Sequence, residues 1–151
     1  MTDVVDKATR SRMMSGIRSK HTKPEMQVRS GLHARGFRYR LHAAGLPGKP
    51  DLVLPKYHAV IFVHGCFWHG HAGCRYFKLP GNNAAFWQDK IETNQRRDAE
   101  VLGQLEATGW RVLTVWECNI RTWKIESNKA ASLDRIAAWL LEGEPSSDMP
   151  G

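Results

Sequence analysis

The stretch PDLVLPKYHAVIFVH, residues 50–64, decides the architecture, because it holds two apolar runs with a polar residue at the outer end of each. AVIFV, residues 59–63, is apolar at every position, the pattern of a strand buried on both faces of a sheet. LVLP, residues 52–55, reads as a shorter strand that Asp51 opens, while His64 closes the longer one. A carboxylate at one strand end, beside polar groups at the end of the next, suits a divalent cation. Magnesium favours one or two carboxylates, with waters and substrate phosphate oxygens completing its octahedron.

Upstream of the Gly/Pro-rich turn GLPGKP, the segment FRYRLH (37–42) alternates with period two and reads as a strand. Before it, TKPEMQVRSGLHARG (22–36) carries helix punctuation: a Thr22/Glu25 capping box, Pro24 in the first turn and Gly36 as a stop. Val28 and Leu32 share one face of that helix. An earlier helix is expected over residues 8–19, with Met13, Met14 and Ile17.

Downstream, a long helix is predicted over 84–108, with Phe86, Trp87, Ile91, Val101, Leu102 and Leu105 as its apolar set. Gly109 stops it, and WRVLTVW (110–116) is another buried strand. A last helix over 133–141 has Leu133, Ile136, Ala137, Leu140 and Leu141 as a core stripe. The order α-α-β-β-β-α-β-α predicts an α/β fold, a mixed central sheet with helices on both faces. Residues 1–142 form one domain, and the tail GEPSSDMPG (143–151) has a disordered composition.

With 42% hydrophobic and 25% charged residues, a chain of 151 is globular and can bury a core. No apolar run approaches the roughly 18 residues of a membrane span, and the N-terminal stretch lacks the apolar centre of a signal peptide. A cytoplasmic location is expected. Three cysteines then read as thiols or metal ligands rather than disulfides. Residues 1–40 hold ten Lys/Arg against Asp3, Asp6 and Glu25, so this segment accounts for the whole net charge of +7. Such asymmetry suits a polyanion, through phosphate contacts and counterion release, although a merely solubilising surface reads the same way.

The loop after the long strand, HGCFWHGHAGC (64–74), packs three histidines and two cysteines into eleven positions. Cys66, His71 and Cys74 offer three zinc ligands in one tight turn. Cys118, just past the strand at 110–116, supplies the fourth if the two strands lie near each other. A Gly-rich loop with no core of its own needs such a staple; the plainer reading is a buried thiol and a surface histidine. His64 and His69 are then left for a site of their own. Glu25 is the obvious second carboxylate beside Asp51, though its capping box explains it equally well. With magnesium at Asp51, the chemistry that suits a basic surface is phosphodiester hydrolysis, a neutral histidine deprotonating the attacking water. No E-x-K or D-x-K follows Asp51; His64 stands where that lysine would be sought.

RSRMMSGIRSKHTKPE, LPGKPDLVL, VIFVHGCFWHGHAGC, FWQDKIETNQRRD and WRVLTVWEC together resemble the very-short-patch DNA mismatch repair endonucleases, the Vsr family, over about residues 6–121. The resemblance implies a restriction-endonuclease-like fold with a structural zinc. It implies nicking of double-stranded DNA 5′ of the thymine in a T:G mismatch left by deamination of 5-methylcytosine. It also implies association with a cytosine-5 DNA methyltransferase and downstream repair proteins, and a nucleoid location. By position, Asp51 is the direct magnesium ligand together with the backbone carbonyl of Val63. His69 is the general base, His64 and Glu25 act on waters around the metal, and Asp98 orients a histidine. Cys66, His71, Cys74 and Cys118 match the zinc set. The loop H-G-H-A-G-C is longer before its second cysteine than in some relatives, so His69 stays an alternative to His71 as ligand. Phe67, Trp68 and Trp87 match aromatics that insert between base pairs beside the mismatch, where unstacking costs least. On sequence alone Trp87 reads as helix packing, whereas Phe67 and Trp68 in a polar loop read as exposed.

The competing readings are a restriction-type or structure-selective DNA nickase of the same fold, a non-catalytic zinc-stapled DNA-binding module, and an RNA-directed nuclease. A pure binder has no need of Asp51, His64, His69 and Glu25 together. Nothing resembles an oligomerisation stripe, so a monomer is expected.

Overall fold

The computed structural model describes residues 22–150, and the helix expected over 8–19 lies outside them. Five strands form one sheet in sequence order: β1 (Arg40–Leu41), β2 (Leu52–Leu54), β3 (Ala59–His64), β4 (Arg111–Trp116) and β5 (Ser147–Met149). The first three run antiparallel, and β3, β4 and β5 run parallel. The helices are α1 (Lys23–Ala34), α2 (Ala84–Ala107), a short α3 (Glu117–Ile120) directly after β4, and α4 (Glu126–Glu142).

The two short apolar runs become neighbours because a 3₁₀ turn at Pro55–Tyr57 reverses the chain, with His58 in the left-handed region at φ 49°. Leu52 then pairs with Ile61. Alternation along β3 fills both faces, as an all-apolar strand should. Ala59 and Ile61 join α1 and α4 in the larger core, with Val28, Leu32, Leu113, Ile136 and Trp139. Val60 and Phe62 face the other way, toward Leu105 and Val101 of α2. α2 is the crossover between parallel β3 and β4, as such a connection requires.

The parallel register sets the site. Val63 pairs with Val115 and His64 with Trp116, so Cys66 and Cys118 each lie just beyond the same end of the ladder.

Several expectations need correction. The tail at 143–151 is not wholly irregular: Ser147–Met149 pairs in parallel with β4 and Met149 is buried. The Ser146 hydroxyl accepts the Val112 N–H at 2.9 Å. A ladder is made by backbone groups, so a polar composition did not prevent the open flank of β4 from finding a partner. α4 starts at Glu126 rather than 133, because its first half, ESNKAAS, is exposed and carries no apolar period. Of FRYRLH, only Arg40–Leu41 pairs. Phe86, expected in the apolar set of α2, is 61% exposed and joins neither core.

If β5 holds the sheet edge through Met149, replacing Met149 by Ala should lower the unfolding free energy by about 2–5 kcal/mol. Urea denaturation measures this, and an unchanged midpoint would show the tail to be dispensable.

Candidate active site

Four groups of side chains gather at the C-terminal ends of β3 and β4 and at the adjoining end of β2. The first is the cysteine set. The donor atoms of Cys66, His71, Cys74 and Cys118 all lie within 4.8 Å of one another. The His71 Nδ1 is 3.5 Å from the Cys118 sulfur, and the Cys118 N–H donates to the Cys66 sulfur at 3.3 Å. The loop folds tightly on itself, with the His71 N–H donating to the Cys66 carbonyl at 2.9 Å and the Cys74 N–H to the His71 carbonyl at 3.2 Å. His71 is stacked flat on Trp116, ring centroids 4.0 Å apart. Burial pushes the Cys66 thiol up, so a neutral thiol there holds its proton until a metal replaces it. Three sulfurs and an imidazole at this spacing fit a tetrahedral zinc.

His69, the alternative ligand, is directed elsewhere. Its Nδ1 is 2.7 Å from the Asp98 carboxylate on α2. Gly70 separates the two destinies. At φ 59° it sits where L side chains are strained, and a Cβ there would meet Gln95 and Ile91 at 2.4 and 2.5 Å. The Gln95 amide donates to the Gly70 carbonyl, and the Asn94 amide to the Trp68 carbonyl, each at 2.8 Å. α2 therefore holds the loop by two of its backbone carbonyls.

His64 and His69 form the second group with Asp98. Their rings are stacked, with centroids 3.7 Å apart and planes 2° from parallel. Burial, reinforced by the adjacent His69, holds His64 well below the ordinary histidine range, so it is neutral at physiological pH. Donation from Nδ1 to the Asp98 carboxylate fixes the His69 tautomer with its proton on Nδ1 and its lone pair on Nε2.

The third group was only partly legible. Glu25 is 1% exposed, and its carboxylate meets the His42 Nε2 at 2.9 Å through each oxygen. Arg29 donates to Glu25 Oε2 at 3.0 Å. Thr22 still caps α1, its hydroxyl accepting the Glu25 N–H at 3.3 Å, so Glu25 serves the helix with its backbone and the site with its side chain. Asp51 accepts the Val63 N–H at 2.7 Å, just past the last β2–β3 pair. Donor atoms of Glu25, His42 and Asp51 lie within 4.8 Å of one another. Neither His42 nor Arg29 was singled out from the sequence; the only signal was His42 at the end of an alternating segment.

Asp51, His42, Val63, His64, His69 and Asp98 line one open cleft of about 1560 Å³ between the sheet edge and α2. The fourth group stands near its mouth. Phe67, Trp68 and Trp87 contact each other edge-on, with centroids 5.3–5.8 Å apart. All three are half-buried, and Phe86 extends the cluster outward from Trp87 at 5.3 Å. Trp87 lies outside both hydrophobic cores, contrary to its reading as helix packing.

A family model described as DNA mismatch endonuclease Vsr matches residues 2–75. The type II nicking enzyme V.XorIIP of Xanthomonas oryzae pv. oryzae is 50% identical over 120 residues, covering 80% of this chain and 88% of the relative. The DNA mismatch endonuclease Vsr of Escherichia coli (strain K12) is 43% identical over 140 residues, 93% of this chain and 88% of that protein. The type II nicking enzyme V.NmeAIP of Neisseria meningitidis is 44% identical over 136 residues, 90% and 92% of the two chains.

Asp51 carries a cost that a substitution should reveal. Burial raises its pKa from 3.8 to about 6, opposed by the Val63 N–H and reinforced by the neighbouring Glu25. The folded state thus binds this proton more tightly than the unfolded chain. Its contribution to stability is greatest below pH 3.8, declines as pH rises through about 6, and leaves a net cost above that. In magnesium-free buffer near neutral pH, Asp51→Asn should therefore raise unfolding stability, by on the order of 1–3 kcal/mol. The gain should shrink as the pH is lowered through the same window. Equal stability at all pH values would mean that Asp51 is not desolvated.

Proposed function

The chain belongs to the Vsr family of DNA mismatch endonucleases, and on that premise we propose that it nicks one strand of double-stranded DNA 5′ of the thymine in a T:G mismatch, with magnesium as the catalytic ion. The observation that carries this reading is the convergence, in one cleft, of the Asp51 carboxylate with an imidazole whose tautomer a second carboxylate fixes. The five-stranded mixed sheet flanked by helices, with its site at the strand ends, is what a restriction-endonuclease-like nuclease requires. Residues 1–142 then make one nuclease domain that β5 completes at the sheet edge.

Asp51 and the backbone carbonyl of Val63 would hold the magnesium ion, which when bound stabilises negative charge developing on the phosphate. His69 presents Nε2 to take the proton of the attacking water, and Asp98 stabilises the imidazolium that results. His64, kept neutral by burial, orients water without repelling a cation. Glu25, held by His42 and Arg29, keeps a second carboxylate facing Asp51. Cys66, His71, Cys74 and Cys118 would hold a structural zinc that fixes the loop on which His69 and the aromatics stand. Phe67, Trp68 and Trp87 form a ready-made wedge. Their mutual edge contacts hold them rigid, so little rotamer entropy is lost when a base step is opened beside a defective pair. The basic N-terminal segment supplies phosphate contacts. We further propose a monomer that acts beside a cytosine-5 DNA methyltransferase and hands its nick to downstream repair proteins at the nucleoid.

The deciding test is a strand-specific nicking assay with magnesium, comparing a T:G duplex in several sequence contexts with its T:A counterpart. A single nick 5′ of the mismatched thymine is expected. Equal cutting of the paired duplex would leave a DNA nickase without mismatch preference; V.XorIIP and V.NmeAIP are named as type II nicking enzymes. Asp51→Ala should reduce the rate by about a thousandfold or more while DNA binding persists.

Trp68→Ala should lower the T:G preference by about 5- to 100-fold, the value of one lost stacking contact, with zinc content unchanged. If that variant instead unfolds, Trp68 is a core residue. Elemental analysis after extensive dialysis should find one zinc per chain, lost in Cys118→Ser; a zinc-free, folded protein would undo the staple.

A further inference from the structure

Resting on the metal site proposed above, we infer that His42 is a ligand-bearing member of that site, and that it shifts the site's preference from Mg²⁺ toward a first-row transition ion such as Mn²⁺. His42 is tied to Asp51 by the main chain, its N–H donating to the Asp51 carbonyl at 3.2 Å beyond the last β1–β2 pair. Its backbone lies in the left-handed region at φ 46°, which a non-glycine residue holds only where its surroundings over-determine it. The side chain is 10% exposed and lines the cleft, while Glu25 beside it is buried.

The spacing fits coordination as well as it fits a hydrogen bond. His42 Nε2 is 2.9 Å from each Glu25 oxygen. Cis ligands of an octahedral ion with bonds near 2.1 Å stand roughly 3.0 Å apart. Nε2 and a Glu25 oxygen therefore stand at the spacing that one edge of such an octahedron requires. Arg29 donates to Oε2, which favours the edge that uses Oε1. Asp51, whose donor oxygen lies within 4.8 Å of the other two, supplies a third vertex after a small movement. The result is a donor set of two carboxylates and one imidazole.

Donor chemistry then sets the preference. Magnesium takes oxygen ligands and seldom a nitrogen. Mn²⁺ accepts the same carboxylates, and affinity for an added imidazole rises along the first-row series. A purely positioning role for His42, holding Glu25 by a hydrogen bond, would support both ions alike. The two roles are separable by experiment.

The test uses the full-length, zinc-loaded protein with Mn²⁺ as probe. Electron spin-echo envelope modulation of the bound Mn²⁺ should show a directly coordinated ¹⁴N in the unaltered protein, and its absence would overturn the inference without any variant. Mn²⁺ affinity is then read from the free-ion EPR signal, with Mg²⁺ affinity from competition. His42→Gln keeps a hydrogen-bond donor for Glu25 and removes the imidazole. It should weaken Mn²⁺ binding at least about tenfold, abolish the nitrogen modulation and leave Mg²⁺ binding within about twofold. Equal weakening of both ions, or of neither, would assign His42 to positioning alone and overturn the proposal. Asp51→Asn provides the separate control: if Mn²⁺ binding survives it unchanged, the metal-site reading itself fails, whatever His42 does.

Discussion

The parallel pairing of β3 with β4 is the constraint on which the rest of the molecule depends. The two strands are separated in sequence by a loop and a 24-residue helix, yet they pair over their full length from Ala59↔Arg111 to His64↔Trp116. The apolar side chains of β3 fill a core on either side, so a slip of one residue would exchange the two faces and strand both cores. With the register fixed, Cys66 and Cys118 emerge at the same level, and the loop between β3 and α2 has an anchor on each strand. The position of every cleft residue after His64 follows from that pairing.

The loop then serves two sites that must not interfere. Sulfur and one imidazole gather on the β4 side, while His69 turns to Asp98 on α2. The turn between them is possible because Gly70 accepts a positive φ and a close approach by Gln95 and Ile91. A rigid loop matters to the proposed chemistry because a general base displaced by even 1 Å loses much of its effect. The same rigidity lets three aromatic rings stand together near solvent without collapsing into a core. Nearby, the buried Glu25 and half-buried Asp51 carboxylates lie close to each other, and desolvation of Asp51 carries a stability cost, while Arg29 and His42 pair with Glu25.

Much of this was legible in the residues themselves. An apolar run at 59–63 could only be an interior strand, and Thr22 with Pro24 fixed the start of α1 to the residue. The cluster of Cys66, His71, Cys74 and Cys118 was readable because cysteine and histidine have few other uses at such spacing. Asp98 was assigned only through family resemblance; nothing local in NQRRD marks it. His42 was missed because its partner Glu25 is 17 residues away, and an alternating segment gives no hint of which polar side chain turns inward. β5 was missed for a different reason: only Met149 of its three residues is buried, so it shows no hydrophobic period, while its backbone pairs with β4 regardless of side chain.

The sequence by itself determined the order of the main secondary elements within residues 22–142, though not the short α3, together with a set of candidate metal-binding donors and the family to which the chain belongs. These are short-range properties, written in periodicity, punctuation and ligand chemistry, and they survive without knowledge of the fold. Tertiary structure alone decided which donors share a site: His69 with Asp98 rather than with the cysteines, Glu25 with His42 and Arg29, and Trp87 with the loop rather than the core. Those choices depend on the register of β3 against β4 and on the packing of α2 beside them. Both are set by the sum of many apolar contacts between segments distant in sequence, and no single local stretch encodes that sum.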